Sequence, residues 1–310
     1  MIDLELTDVQ TAIGDSVDHY CRDRCGEDVV RAGAAEFPLG LWRGLADLGV
    51  LALASPEGEG GPVDVCVAAE ALGRALFPGP IAATFMAGQA LLDAERGRVT
   101  RGEALVSVGA PPLMPWAPLA DYFLVVSRWR LYRAVPVGTV EPVDTVGGEP
   151  WGRVQLRRTA ALGSSREPLQ VYNIVLAAYL AAAGKRLLDL TCEHVRARKQ
   201  FGRAIGEFQA VSHPLADCEI KLAGSATLAR AAAFELGCHG ADAYRTAAAA
   251  RRSASRSALD TLHACHQAFG AMGVTIEGPV YPFTRRIRQL VSLPPASALD
   301  HDEVLEQFGM

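Results

Sequence analysis

Residues 198–209 read Arg-Lys-Gln-Phe-Gly-Arg-Ala-Ile-Gly-Glu-Phe-Gln, and they follow the end of an amphipathic helical pattern. A cation, Arg198, and an amide, Gln209, are thereby placed around a helix end, with a turn marked by Gly202 and Gly206 between them. The planar donors of a guanidinium match a pyrophosphate, and the amide can reach a neighbouring part of the same ligand. The stretch therefore suits a phosphate-bearing cofactor, although an isolated Arg-x-x-Phe-Gly more often forms a surface salt bridge beside a solvated amide.

A second segment with glycines, residues 267–274, reads Gln-Ala-Phe-Gly-Ala-Met-Gly-Val and closes the last long helical pattern. Its small residues would let a ligand approach the backbone, and free amide groups there can bind an anion. Taken alone, the segment is a helix that ends at a glycine cap. Tyr281-Pro282 and the arginine-rich run 285–288 follow at close range, so the candidate motifs cluster in the last third of the chain.

The N-terminal part of the sequence has helical periodicity. Apolar residues recur every three or four positions from Phe37 to Leu48 and again from Val65 to Leu76, which is the spacing of one helix face. Prolines and glycines at 56–62 separate the two patterns. We therefore predict helices as far as about residue 95.

The character of the chain changes between about residues 103 and 162. Prolines recur too often for a helix, and short runs of β-branched and aromatic residues stand between turns. Strands are predicted at 105–108, 122–126, 134–137 and 153–156. All are short enough for a compact sheet or a partial barrel.

From about residue 167 the pattern is helical again. Three long amphipathic helices are predicted, marked by Val171–Ala178, Leu215–Ala233 and Ala254–Phe269. Their many alanines let helices approach closely and favour packing between subunits. The predicted fold class is mainly α with a small central β domain. It divides into an N-terminal helical domain (1–100), a reduced β domain (101–164) and a C-terminal helical bundle (165–310) with a short polar tail.

Composition narrows the choice of partners. The formal net charge is −5 and the basic residues are spread along the chain, so no face is built for nucleic-acid phosphates. One basic helical stripe, Arg251, Arg252 and Arg256, is interpreted as a solvated face or an intersubunit salt-bridge surface. The N-terminus lacks the basic and apolar runs of a signal peptide, and no apolar run reaches the roughly 18 residues of a membrane span. A cytoplasmic protein without nucleic-acid or membrane partners is predicted.

Cysteine and histidine form no recognisable disulfide or metal pattern. The seven cysteines are scattered and include no Cys-x-x-Cys pair, which predicts reduced, mostly buried thiols. His263, Cys265 and His266 are close in sequence, but on a helix Cys265 would point inward while the histidines diverge. No metal site is predicted.

Taken in order, these motifs resemble the C-terminal signature of acyl-CoA dehydrogenases. The matching segments are Arg-x-Gln-Phe-Gly (198–202), Phe-Gln (208–209), Leu-Ala-Asp (215–217), Gln-x-x-Gly (267–270) and the arginine-rich turn (285–288). The N-terminal part is similar to the first helical domain of that family at Leu41-Trp42, Ser55-Pro56-Glu57 with Gly60-Gly61, and Glu70-Ala71-Leu72-Gly73. The resemblance covers most of the chain, and several motifs in the family order are more specific than any one of them.

The resemblance implies an acyl-CoA dehydrogenase-like fold of N-terminal helices, a central β domain and a C-terminal four-helix bundle, with FAD bound at a subunit interface. In that family the matching residues reach the adenosine and pyrophosphate of a flavin that a neighbouring subunit mainly holds. The residues assigned in this way to cofactor binding are Arg198, Gln200, Phe201, Gln209, Gln267, Gly270 and Ala271. Ala271 replaces the second glycine of the family motif, a change that a backbone amide contact tolerates.

Two departures from the family pattern bear on activity. The β region lacks the Thr-Glu-Pro-x-Ala-Gly-Ser-Asp segment and the Trp-x-Thr strand that cradle the flavin ring. The carboxylate that removes the α-proton while hydride leaves Cβ is also missing, since its usual register falls near Ser297 and that of a second subgroup falls near Tyr172. Glu167, near the second register, is interpreted as a helix-start residue that complements the helix dipole. No catalytic residue is assigned.

These departures suggest a companion subunit of a heteromeric acyl-CoA dehydrogenase, inactive alone. It would resemble the α2β2 actinobacterial enzymes that act on steroid side-chain CoA thioesters. Its expected partners are a full-length subunit with the catalytic glutamate, an acyl-CoA substrate and, by family analogy, electron-transfer flavoprotein. Two alternatives stay open. A homomeric enzyme with an unusual base would be yellow and active when purified alone, whereas a noncatalytic scaffold would hold no flavin even with its partner.

Overall fold

The computed structural model describes residues 4–32, 37–127 and 129–294. The N-terminal helices are α1 (Asp8–Arg24), α2 (Glu27–Ala32), α3 (Leu39–Asp47), α4 (Pro62–Arg74), α5 (Ile81–Ala90) and α6 (Asp93–Thr100). The two helical patterns of the sequence are confirmed as α3 and α4. α1 begins at a capping box, in which Thr7 Oγ1 accepts the backbone N–H of Gln10 and Gln10 Oε1 accepts that of Thr7.

A five-stranded sheet follows these helices. Its strands are β1 (Val106–Gly109), β2 (Leu113–Pro115), β3 (Tyr122–Ser127), β4 (Arg130–Val143) and β5 (Trp151–Ser164). The spatial order is β1-β3-β4-β5-β2, with β1 and β3 parallel and the other neighbours antiparallel. The four predicted strand positions are confirmed, and β2 was missed.

The prediction that all strands are short is wrong, because β4 and β5 each span 14 residues. Pro136 and Pro142 interrupt the strand pattern of β4, so the sequence predicts only a short strand there. The register shifts along the β4–β5 pair, including one between Val137 and Glu141. Such irregularities let a strand pass a proline that cannot donate to the ladder.

The remaining elements form a helical bundle with one small hairpin. They are α7 (Arg166–Ala197), β6 (Lys199–Gln200), β7 (Arg203–Ala204), α8 (Gln209–Gly237), α9 (Ala243–Phe269) and α10 (Tyr281–Val291). The three predicted long helices are confirmed as α7, α8 and α9, and the shorter α10 packs on α7 and α9. Small residues let these helices approach, since a Cβ at Gly184 of α7 would lie 2.7 Å from a Leu222 methyl on α8. The predicted polar tail lies outside the described residues, except for Pro294.

One hydrophobic core joins the N-terminal helices, β1, β3 and the bundle. α4 lies against α7 at Gly73, where any Cβ would collide with the backbone of Tyr179. Glu70 of α4 is 6% exposed and accepts hydrogen bonds of 2.8 and 2.7 Å from Arg230 of α8. The predicted fold class is confirmed, while the domain limits at 100 and 164 stay a prediction.

Several composition-based predictions also have structural outcomes. Across 4–32, 37–127 and 129–294, no helix combines the length and apolar character needed to cross a bilayer, and no three metal-type ligands converge. All seven cysteines are free thiols and five are buried, as predicted. The basic-stripe prediction is wrong for Arg251, which is buried, whereas Arg252 and Arg256 are exposed. Consecutive helical residues point about 100° apart, so Arg251 faces the core.

Candidate functional site

Three helix ends meet at one end of the bundle. α7 stops at Ala197, α8 starts at Gln209 and α9 stops at Phe269. The imidazole of His194, in the last turn of α7, stacks on the Phe269 ring with centroids 4.3 Å apart. A small cluster of α7, α8 and α9 side chains packs beneath this contact. We call this surface the bundle end, and it contains all the cofactor candidates: Arg198, Gln200, Phe201, Gln209, Gln267, Gly270 and Ala271.

The side chains of the polar candidates at the bundle end have no partners among residues 4–32, 37–127 and 129–294. Arg198 follows α7 as its cap, as predicted, with its N–H 2.8 Å from the carbonyl oxygen of His194. In the part of the chain that the structure describes, no hydrogen bond or ion pair involves the side chains of Arg198, Gln200, Gln209 or Gln267, and all four are exposed. A surface salt bridge of Arg198 is therefore not found there. These groups can bind a molecule outside the chain.

The β6–β7 hairpin holds Phe201 in an unfavourable conformation. Gln200 pairs with Arg203, so Phe201 and Gly202 form a two-residue turn with φ values of 54° and 81°. Such turns favour asparagine or glycine, because a left-handed conformation is costly for other residues. The Phe201 ring is nevertheless 92% exposed. A strained backbone and an exposed aromatic ring are typical of a contact that the chain makes with something else.

The backbone at the end of α9 is accessible. Gly270 has φ 60° and ψ −132°, a backbone conformation that residues other than glycine rarely adopt. No heavy atom lies within 4 Å of the position where its Cβ would stand, so this face of the backbone is open. Ala271 follows in the short turn Gly270–Val274, which also exposes Met272 and Val274. The predicted approach of a ligand to this backbone is sterically feasible.

A second candidate site lies where α5, the sheet, α7 and α10 meet. The cavity there measures about 20 Å³, room for about one water molecule. Binding sites for small molecules measure roughly 300–1,000 Å³. Tyr172 and Tyr179 of α7 are both fully buried and fill much of this region. The described residues therefore leave no room for a large substrate in this cavity.

Among the described residues that line the cavity, no group could remove a proton at neutral pH. Its described lining includes no aspartate or glutamate, and the ionisable side chains are Tyr172, Tyr179 and Arg286. Burial raises the pKa of Tyr172 to about 12, although the nearby Arg251 opposes the effect. Burial also raises the pKa of Tyr179 well above its ordinary value. Both phenols stay protonated and cannot serve as general bases.

One of the two register positions considered for a catalytic carboxylate, Tyr172, lies at this cavity. Tyr172 lines it and donates a 2.8 Å hydrogen bond to the carbonyl of Pro294, the last described residue. Ser297, the other register position, lies outside the described residues. Glu167 is exposed in the first turn of α7 and does not line the cavity.

Buried arginines hold the closed cavity from two sides. The guanidinium of Arg251 lies 5.5 Å above the Tyr172 ring and donates to Asn173 Oδ1 at 3.1 Å. The sequence prediction missed this role because it treated Arg251 as a surface residue. Since a cation over an aromatic face attracts the ring, Arg251 holds Tyr172 in place.

Arg286 of α10 is the second buried arginine. It donates to the Tyr179 hydroxyl at 2.9 Å. It also donates to the carbonyls of Phe77 at 3.0 Å and Gly79 at 3.2 Å. Glu149, from the β4–β5 connection, forms an ion pair with it, and each of the two side chains is less than a tenth exposed. The N-terminal helices, the sheet and the bundle are thereby joined through one guanidinium.

A larger groove of about 910 Å³ runs between α7 and α8 but is open to solvent. Lys185 in this groove pairs with Asp189 at 2.5 Å and Glu219 at 3.4 Å. The charge of Lys185 is thus matched by two carboxylates of the groove. We assign no site to this groove.

Replacing Tyr172 by phenylalanine is expected to lower the free energy of unfolding by about 1 kcal/mol. The ring would still fill the cavity, but its hydrogen bond to Pro294 would be lost. Urea denaturation measures the change. Tyr132→Phe is the matched control, since the structure gives its hydroxyl no hydrogen bond and its ring packs under Arg158. Equal stability of the two variants would contradict the assigned bond.

Two protein-family models and a relative of similar length match this chain. The profile "Acyl-CoA dehydrogenase, N-terminal domain" matches residues 7–94, and "Acyl-CoA dehydrogenase, C-terminal domain" matches residues 163–291. The chain is 32% identical over 281 residues to the acyl-CoA dehydrogenase IpdE2 of Mycobacterium tuberculosis, covering 84% of this chain and 85% of the relative.

Solved structures share the fold over nearly the whole chain. The ChsE4-ChsE5 complex from Mycobacterium tuberculosis has a TM-score of 0.84 and 22% identity, with 99% of this chain and 98% of that chain covered. A variant of the Tcur3481-Tcur3483 steroid ACAD has a TM-score of 0.81 and 24% identity, with 97% and 98% covered. At these identities the likeness concerns the fold.

Proposed function

The chain belongs to the acyl-CoA dehydrogenase family, and from that premise we propose that it is the subunit of a heteromeric FAD-dependent acyl-CoA dehydrogenase that supplies no catalytic base. Its bundle end would complete an FAD site held mainly by a full-length partner subunit. The partner would carry the catalytic glutamate and bind the acyl-CoA. This chain would be inactive alone.

The closed cavity is the observation that carries this proposal. The family reaction needs a carboxylate in contact with the substrate α-carbon and room for the acyl chain. The cavity measures about 20 Å³ and its described lining includes neither aspartate nor glutamate. A Tyr172 phenol with a pKa of about 12 is ionised in only about one molecule in 100,000 at pH 7. Among the described residues, the cavity therefore offers no base for α-proton removal.

The bundle end fits the phosphate half of FAD, whereas the cavity does not fit the ring half. Arg198 is a permanent cation with no partner among the described residues, and Gly270 leaves its backbone open. Arg198 would bind the pyrophosphate, with the amides of Gln200, Gln209 and Gln267 on neighbouring polar atoms. A cavity with room for about one water molecule cannot take a three-ring flavin. Among the described residues, the bundle end would thus supply one half of a flavin site.

The chemistry of the assembly divides between the subunits. FAD, when bound, supplies the acceptor for the hydride that leaves Cβ of the acyl-CoA. The partner's carboxylate would take the α-proton. The hydride and this proton together are the two hydrogens that α,β-dehydrogenation removes. The residues of this chain would hold the pyrophosphate in place and exclude water from it. Their contribution is positioning and charge, without a proton transfer.

The substrate class and the acceptor rest on analogy. One fold neighbour is named as a steroid ACAD, so we propose a steroid side-chain CoA thioester as substrate and a role in steroid and lipid degradation. Electron-transfer flavoprotein is the expected electron acceptor by analogy with the family. We also propose a cytoplasmic location and an α2β2 assembly.

Replacing Phe201 by asparagine tests whether the bundle end serves a partner. Asparagine tolerates the left-handed conformation, so we expect the isolated chain to gain about 0.5–1 kcal/mol of unfolding free energy. The complex should lose flavin and dissociate more readily, because the exposed ring is gone. Urea denaturation and analytical gel filtration measure the two effects. Val146→Asn is the control, since Val146 is 80% exposed in the β4–β5 connection. The same changes in stability, flavin content and dissociation in both variants would contradict the role of Phe201.

Coexpression with a full-length acyl-CoA dehydrogenase-like partner tests the function itself. We expect a complex that contains one flavin for each pair of unlike chains and dehydrogenates an acyl-CoA. The isolated chain should be colourless. Removing the partner's glutamate should abolish turnover while flavin is retained.

Each alternative function predicts a different outcome of this experiment. A yellow isolated chain that reduces an acceptor with acyl-CoA would indicate a homomeric enzyme. A complex without flavin would indicate a noncatalytic scaffold. Either result would overturn the proposal.

A further inference from the structure

The contact between His194 and Phe269 joins two separate parts of the bundle end. His194 lies one helical turn before Arg198, whose N–H is 2.8 Å from the His194 carbonyl oxygen. Its imidazole stacks on Phe269 with an interplanar angle of 21°. Phe269 lies between Gln267 and Gly270. The stack therefore links the α7 end, with its cation, to the α9 end, with its amide and open glycine.

The imidazole also lies in the electrostatic field of the cation. Burial lowers the pKa of His194, and the positive charge of Arg198 lowers it further. Phe269, the ring against it from α9, is uncharged. Three other charged or titratable groups of this end have contacts elsewhere: Arg203 over Phe208 at 4.0 Å, Glu207 with the Ala204 N–H at 3.4 Å, and His266 with Thr284 at 2.9 Å. Lys199 is exposed in β6, and Arg198 is the cation whose charge lowers the pKa of His194.

We propose that His194 is a positioning residue of the FAD site, which fixes the two helix ends through its stack on Phe269 and gains a proton when the pyrophosphate binds Arg198. The inference rests on the proposed function and adds a pH dependence to it. A bound dianion offsets the positive charge of Arg198, so the repulsion that disfavours imidazolium is reduced. Protonation and pyrophosphate binding then favour each other.

The sign of the pH effect follows from this linkage. In the chain without flavin, His194 has a lowered pKa and stays neutral until the pH falls below its ordinary range. In the complex with flavin the pKa is higher, so the bound state takes up more protons as the pH falls toward and through the ordinary range of histidine. FAD affinity should therefore increase as the pH falls. A rise of one pKa unit on binding corresponds to an affinity gain of at most about tenfold.

Flavin release from the complex with the partner subunit tests the inference. The dissociation constant of FAD is measured by flavin fluorescence from pH 8 to pH 6, and proton uptake by calorimetry in two buffers of different ionisation enthalpy. We expect the wild-type complex to bind FAD about two- to tenfold more tightly at pH 6 than at pH 8. His194→Phe keeps an aromatic stack without a titrating group, so it should lose the pH dependence and the proton uptake. His194→Ala should bind more weakly at every pH.

The variants separate positioning from titration and from failure of the function. Equal pH dependence and proton uptake in wild type and His194→Phe would overturn the inference, as would unchanged affinity at pH 8 in His194→Ala. His263→Phe, on an exposed face of α9 beside Arg288, is the matched control and should behave as wild type. A complex that binds no FAD would overturn the proposed function together with this inference. A complex that binds FAD without the His194 effect would overturn the inference alone.

Discussion

Replacing Arg286 by alanine is expected to lower the free energy of unfolding by about 3–5 kcal/mol. The change removes one member of a buried ion pair and leaves Glu149, which is 6% exposed, without its counter-charge. It also removes the donor to the carbonyls of Phe77 and Gly79 and to the Tyr179 hydroxyl. Urea denaturation of the chain measures the effect, which approaches the whole stability of a typical domain.

Two further variants locate the cause of this loss. Arg288→Ala, two residues later in α10 and exposed, should change the unfolding free energy by less than about 0.5 kcal/mol. The double variant Arg286→Leu with Glu149→Leu should be more stable than either single variant, because no buried charge is left unpaired. Additive losses in the double variant would show that the ion pair does not determine the effect.

Replacing Arg198 by alanine is expected to weaken FAD retention in the complex by about 1.5–3 kcal/mol, since a charge-assisted hydrogen bond to the pyrophosphate would be lost. This corresponds to about 10- to 150-fold faster loss or weaker binding of the flavin. Flavin content after gel filtration and FAD titration measure it. Folding should be unaffected, because Arg198 is exposed and has no side-chain partner among the described residues.

Arg196→Ala is the matched control for this prediction. Arg196 lies two residues earlier on α7 but faces the groove between α7 and α8. Its removal should leave flavin content unchanged. Arg198→Lys should fall between wild type and alanine, because lysine keeps the charge but loses the planar donor fork. Unchanged flavin content in Arg198→Ala would exclude Arg198 from the site.

The two arginines lie in the two regions on which the proposed function depends. Arg286 belongs to the closed cavity, where buried side chains leave no room for a substrate. Arg198 belongs to the bundle end, where polar side chains have no partner within the described chain. The cavity is filled by side chains, whereas the polar side chains of the bundle end have no partner among the described residues. This asymmetry is what a subunit that serves a neighbouring active site would require.

Much of the fold could be predicted because its signals are local. Apolar spacing along α3, α4, α7, α8 and α9 indicated helices that the structure confirms. The strand lengths could not be predicted, since β4 continues through Pro136, which pairs with Leu156, and past a register shift between Val137 and Glu141. The burial of Arg286 was missed, although Phe283 and Leu290 share its helix face at spacings of three and four. An arginine on such a face is unexpected until its partners are known.

By itself, the sequence determined the helical architecture, the family resemblance and the identity of the candidate residues at the bundle end. These depend on periodicity and on short motifs, which the chain carries within a few residues. Only the tertiary structure decided that the cavity is closed and that Tyr172 meets Pro294. The same holds for the partners of Arg286, one of which, Phe77, lies 209 residues away in sequence. Contacts of this kind form only when packed elements exclude water, so no local pattern encodes them.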